Sequence, residues 1–137
     1  MCRLAVEGVP GIEVDLRELD RDGPTFTVET LQTFPTDEEV FLILGSDSIA
    51  GIETWHKWEE ILARVTLVEA PRPGVARGSG ESHGAVQLDI GLMEVSSTDI
   101  RDRVASGRPY RFLVTAPVCG YIEVTNLYAE PSAGDNV

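Results

Sequence analysis

Histidine and cysteine are scarce in this chain, with two of each: His56 and His83, Cys2 and Cys119. The two cysteines lie far apart and no Cys-x-x-Cys pair occurs, so neither a disulfide framework nor a structural zinc site is expected. This usage fits a reducing compartment, and a cytoplasmic location is the expectation. No Ser-His or Cys-His arrangement suggests a protein nucleophile, and no Walker-type glycine loop is present. Basic residues are few as well: 11 Lys and Arg against 23 Asp and Glu give a formal net charge of -12. That balance argues against non-specific binding to nucleic acid or to an anionic membrane. It leaves a small nucleotide ligand open, since such a ligand needs only a local patch. No apolar run is long enough to span a bilayer, and Met1 opens no signal-peptide pattern.

What is present is the composition of a globular protein, 42% hydrophobic and 25% charged over 137 residues, a length that predicts one domain with a real core. Leu4, Ala5 and Val9 read as the apolar side of a helix's last turns, ended by Gly8, Pro10 and Gly11. Ile12 to Leu16 alternates and predicts a strand, followed by a charged loop through Gly23-Pro24. A short helix is expected through Glu29, Thr30, Leu31 and Phe34, with Thr27 as a possible cap. Val40 to Leu44 is a continuous apolar run stopped by Gly45, the pattern of a buried parallel strand. A helix is predicted over Thr54 to Ala63, a strand over Val65 to Val68, and a loop from Val75 to Gly84. Short extended pieces follow at Val86 to Leu88 and Leu92 to Val95. Further helices are expected from Asp99 to Ala105 and from Pro117 to Leu127, the last with Val118, Tyr121, Ile122 and Thr125 inward. Strands alternating with helices at this spacing predict an α/β fold with a largely parallel sheet. Residues 129–137 read as a disordered polar tail.

Three places carry candidate chemistry. The hydroxyls Ser96, Ser97 and Thr98 stand at the opening of a helix, with Arg101 in its first turns. Hydroxyls there can cap free N–H groups, and the helix start with an arginine can also hold an oligophosphate. An ordinary cap with a surface arginine fits the same residues. Gly45-Ser46-Asp47 lies beyond the carboxyl end of a predicted strand, the usual ligand crevice of an open α/β sheet. There Asp47 could accept from ribose hydroxyls or simply cap a helix. Trp55 could share a core stripe with Trp58 or offer its face to a flat ring. His56 and Lys57 are expected to face water.

Taken in order, Thr25-Phe26-Thr27-Val28-Glu29-Thr30-Leu31, Gly45-Ser46-Asp47, Trp55, Arg72-Pro73-Gly74, Ser96 to Arg101, and Tyr121-Ile122 with Leu127-Tyr128 form a pattern. It resembles bacterial nicotinate-nucleotide adenylyltransferase, a nucleotidyltransferase of NAD biosynthesis, from Met1 to about Tyr128. The resemblance implies a Rossmann-like nucleotidyltransferase fold. It implies ATP binding by Gly45 and Asp47 on the adenosine side and by Ser97, Thr98 and Arg101 on the phosphates. Trp55 would stack on the nicotinate ring, and Thr27 would line the mononucleotide side. Phe26 stands where the family more often has tyrosine, and Ala116 and Cys119 lie where it often carries Pro-Asp. The implied reaction is attack of the nicotinate mononucleotide phosphate on the α-phosphorus of ATP, with Mg2+ accompanying ATP and pyrophosphate leaving. The implied partners are these nucleotides alone, neither nucleic acid nor membrane.

One element of the family pattern is missing from the sequence. The family opens with a strand and a Gly-x-Phe-Asp-Pro-x-His-x-Gly-His loop, and neither His56 nor His83 fits it. Residues 1–128 therefore read as the C-terminal portion of an adenylyltransferase domain, lacking the first strand and its histidine loop. Loss of that central strand is expected to leave apolar strand edges uncovered and the phosphate site one-sided. No catalytic histidine and no protein metal ligand is assigned, and activity of the chain alone is expected to be weak or absent. A non-catalytic nucleotide-binding module or an inactive fragment is the alternative.

Overall fold

The computed structural model describes residues 1–71, 83–91 and 94–129. They fall into two compact units, one from Met1–Asp15 and the chain from Val95 onward, the other Leu16–Glu94.

The Leu16–Glu94 unit holds the sheet. Strand β1 (Phe41–Gly45) pairs in parallel with β2 (Thr66–Ala70), and β2 pairs in parallel with β3 (Val86–Gln87). The register sets Phe41 against Thr66 and Gly45 against Ala70, and β2 is central in the order β1-β2-β3. Parallel neighbours need a crossover, and here it carries α3 (Ser46–Ala50), a 3₁₀ turn (Ile52–Thr54) and α4 (Trp58–Arg64). Helix α2 (Thr27–Leu31) precedes the sheet. Val28 and Leu31 of α2 and Ile61 of α4 form the buried cluster, with Val40, Leu42, Trp55 and Val65 packed around it. Ile61 is wholly buried, worth about 1.5–3 kcal/mol of apolar transfer. Outside this core, Arg64 donates to the carbonyls of Pro35 at 2.6 Å and Glu38 at 2.9 Å, fixing the turn that leads into β1.

The other unit is helical. Helix α1 (Cys2–Val6) and α6 (Ala116–Thr125) join α5 (Ser97–Ala105) around Ile100, Val118 and Ile122. Leu4, Ala5, Val104, Tyr110, Leu113 and Val114 complete that cluster. Pro117 in the first turn of α6 suits a position whose N–H has no helical partner. Helix α5 stops at Ser106, and Gly107 follows at φ +66, a left-handed conformation that glycine adopts without a Cβ penalty.

The parallel α/β sheet agrees with expectation, but several local readings need correction. Ile12 to Leu16 forms no strand, because alternation alone supplies no partner for backbone N–H and C=O groups. Glu94 and Val95 likewise lie in irregular chain. Thr27 is the first helical residue of α2 and Phe26 its cap position, without a side-chain cap bond. The apolar run of β1 is not buried on both faces: Phe41 and Ile43 are 55% and 61% exposed. The single helix expected over Thr54 to Ala63 is two pieces, broken where Trp55 is extended and Lys57 takes φ 54. On α6 the inward residues are Val118, Cys119 and Ile122, while Tyr121 and Thr125 face outward. Arg72-Pro73-Gly74, most of the Val75–Gly84 loop, Leu92-Met93 and the tail beyond Ala129 lie outside the described residues. Among the described residues no helix is long and apolar enough to cross a membrane.

Candidate functional site

A pocket of about 300 Å³ opens in the sheet-bearing unit, lined by Thr25, Phe26, Thr27, Thr54, Trp55, His56 and Ile61. Its construction follows from the local chain. The extended backbone at Phe26 delivers Thr25 to Thr27 to one wall as α2 begins. Ties to the preceding charged loop hold that start: the Thr30 hydroxyl donates to Glu18 at 2.5 Å, and Arg21 pairs with Glu29 at 3.5 Å. Arg17 also stacks its guanidinium 4.5 Å over the Phe34 ring at the other end of α2.

The opposite wall comes from the break between the 3₁₀ turn and α4. Within a continuous helix, neighbouring residues point about 100° apart, so Trp55 and His56 would face different ways. The extended backbone of Trp55 and the left-handed Lys57 let both line the pocket. Trp55 is half-buried and leans on the Val28, Leu31 and Ile61 cluster, so its position is set by the core. Trp55 thus packs on the core and also lines the cavity, while Trp58 is not among the residues packed on that cluster. His56 is exposed yet sits against Phe26, ring centroids 4.5 Å apart and tilted by 39°. His56 and Lys57 are exposed, as expected, but periodicity gave no sign that His56 also lines the pocket beside Phe26, which is distant in the chain.

Thr27 and Trp55 are therefore brought together in one cavity. Gly45 and Asp47 stand at the carboxyl end of β1, with Gly45 as the cap position of α3 and Asp47 in its first turn. Gly45 has φ -70, so the cap needs no glycine-specific conformation there. Between them Ser46 is 7% exposed, and its hydroxyl has no hydrogen-bond partner among the described residues. Ser97, Thr98 and Arg101 belong to the helical unit, grouped at the start of α5. Ser96 caps that helix, its hydroxyl accepting from the Asp99 N–H at 3.1 Å. Arg101 donates to the Thr98 hydroxyl at 3.1 Å, which turns the exposed guanidinium back toward the helix start. Asp99 is taken by Arg103, 2.7 Å away, so its charge is partly compensated one turn on. Among the described residues no group of three or more His, Cys, Asp or Glu is placed to hold a metal ion.

Among the described residues one group has a displaced titration, and it lies in the helical unit. Tyr110 is pushed above the usual phenol value, first by burial and then by neighbouring Cys119 and Glu123.

The largely parallel α/β sheet is that of a Rossmann-like nucleotidyltransferase fold, and the chain belongs to the cytidylyltransferase-like family, whose model matches residues 1–103. Within that family its similarity is to nicotinate-nucleotide adenylyltransferases. It is 36% identical over 156 aligned positions to a "Probable nicotinate-nucleotide adenylyltransferase" of Pseudomonas putida strain W619, covering 96% of this chain and 71% of that protein. Proteins of the same description from Bordetella petrii and Geobacillus thermodenitrificans are 34% and 33% identical. Those matches cover 93% and 98% of this chain and 70% and 63% of the respective relatives. The homology carries nicotinate-nucleotide adenylyltransferase-like activity at the level of the family.

Proposed function

We propose that this chain binds nicotinate mononucleotide and ATP as an adenylyltransferase does, with transfer giving deamido-NAD and pyrophosphate. The observation that carries this reading is the meeting of Thr27 and Trp55, distant in sequence, in one partly aromatic cavity. Trp55 stacks on the nicotinate ring, and Thr27 lines the mononucleotide side. Gly45 and Asp47 serve the adenosine of ATP, the carboxylate accepting from ribose hydroxyls. Ser97, Thr98 and Arg101 hold its phosphates through hydroxyls, the start of the nine-residue α5 and a guanidinium.

The reaction is an in-line displacement at the α-phosphorus. A phosphate oxygen of the mononucleotide forms the new P–O bond, and the bond to pyrophosphate breaks. Positioning and charge neutralisation supply most of the rate, and no protein nucleophile is required. Mg2+ enters with ATP as part of the substrate. The products and substrates are small nucleotides.

Turnover by the chain alone is weak or absent on this reading. The family's loop histidines have no counterpart in the sequence, and losing one such transition-state donor costs about 10²–10³ in kcat. The same observation favours a second reading, a nucleotide-binding module without catalysis. The experiment is an assay of deamido-NAD and pyrophosphate with ATP-Mg and nicotinate mononucleotide. Slow, stoichiometric formation of both products supports the enzyme, and binding of both substrates without product supports the module. Turnover in the ordinary enzyme range of about 1–10³ per second would contradict the weak-activity claim.

A further inference from the structure

Helix α6 carries one charged residue in ten, Glu123. Its inward side buries Val118, Cys119 and Ile122, and a surface helix ordinarily turns charged or polar residues the other way. Here the outward side is Ala116, Pro117, Gly120 and Val124, which fall within about 100° of one another around the helix. Val124 is 86% exposed, so α6 is apolar on both sides and covered on one. Close to this face in the chain, Phe112 is fully exposed, its ring left to solvent. A groove of about 520 Å³ opens beside it, with Val114, Ala116, Cys119 and Gly120 in its lining. Arg111 and Glu123 also border the groove and pair with each other at 2.9 Å. A Cβ added at Gly120 would meet nothing within 4 Å, so the groove is open over the helix backbone itself.

We propose that this surface is a self-complementary interface, in which Phe112 of each of two copies of the chain enters the groove of the other about a two-fold axis. A two-fold contact uses one patch twice, so it needs a projection and a recess side by side. Phe112 and the groove supply both, and aromatic residues and arginine are the types enriched where proteins meet. Charge points to a second copy as the occupant. The chain carries -12 overall, so most of its surface repels its own kind. This patch holds one cation and one anion and is neutral. Across the two-fold, each Arg111 can meet the other copy's Glu123. An unlike partner steered by charge would seek the acidic surface instead. These few side chains fall short of the roughly 20–30 residues a side of a stable interface, so the dimer is weak, dissociating at about 10–100 µM.

The test is sedimentation equilibrium of the whole chain over about 1–500 µM, a range that brackets the expected dissociation constant. Phe112→Ser removes the projection without taking a packed side chain from the fold. Gly120→Gln fills the recess, meets open space and suits a helix better than glycine does. Each variant is first checked for cooperative melting at low concentration. The expected result is a reversible monomer–dimer equilibrium in the wild type that weakens about tenfold or more in each variant. The charged pair gives a second readout. Arg111→Glu and Glu123→Arg should each associate more weakly alone, and an equal mixture should regain dimers, because one variant presents only acids there and the other only bases. A wild-type chain that stays monomeric throughout would overturn the proposal. So would a dimer untouched by Phe112→Ser and Gly120→Gln, which would place the contact elsewhere. Charge variants that mix without associating would overturn the two-fold pairing.

Discussion

Phe26 and His56 hold their rings 4.5 Å apart, and this contact closes a pocket across two pieces of chain that no local pattern connects. Phe26 sits at the cap position of α2 and His56 in the break before α4. The helices themselves meet through Val28, Leu31 and Ile61. Core packing therefore fixes the distance between the two walls, and the loops at the helix starts carry the polar groups. This division of labour makes the break at Lys57 part of how the pocket wall is built.

Lys57 is the cost of that break. Its φ of 54 puts a Cβ in the left-handed region, which disfavours a side-chain-bearing residue by about 1–2 kcal/mol, offset little by the exposed ion pair with Glu60 at 3.0 Å. Lys57→Gly should leave stability unchanged or raise it by up to about 1 kcal/mol in urea unfolding, while the pocket is retained. A loss above about 1 kcal/mol would show that the lysine side chain matters more than the backbone it strains.

Ser96 supplies the only side-chain cap bond seen at a helix start among the described residues. Ser96→Ala should destabilise the helical unit by about 1 kcal/mol, measured by chemical denaturation, and Ser96→Asp should recover most of it. An unaffected midpoint in Ser96→Ala would mean that water replaces the cap without loss.

Tyr110 gives a pH signature. Its phenol is raised by burial first, then by Cys119 and Glu123, so the folded chain keeps the proton more tightly than the unfolded one. The contribution is complete below the ordinary phenol value near 10 and is lost as pH rises through the higher folded value. Ultraviolet titration should show a late phenol ionisation that Tyr110→Phe removes. A titration curve whose late part is unchanged in Tyr110→Phe would contradict it.

Much of the architecture was legible because burial leaves a pattern. The apolar run at Val40 to Leu44 and the Val65 to Val68 segment gave two parallel strands, and the hydroxyls before Asp99 marked the start of α5. Ile12 to Leu16 misled because alternation records a preference for one face, whereas a strand also needs a partner with free backbone groups. The Trp55–Lys57 break was invisible for a different reason. Trp55, Trp58, Ile61 and Leu62 have good helical spacing, and only the packing of Trp55 on the Val28 and Leu31 cluster overrides it. Thr27 and Trp55, singled out by resemblance, line one pocket. The placement of His56 beside Phe26 depended on tertiary contact and left no mark in periodicity.

Tryptophan fluorescence reads directly whether Trp55 is the surface that receives the pyridine ring. The chain has two tryptophans, so Trp58→Phe leaves Trp55 as the sole indole. Titrating that variant with nicotinate mononucleotide should give saturable quenching, because stacking places the ring on the indole face. A flat fluorescence titration in a variant that still melts cooperatively would contradict the assignment of this pocket.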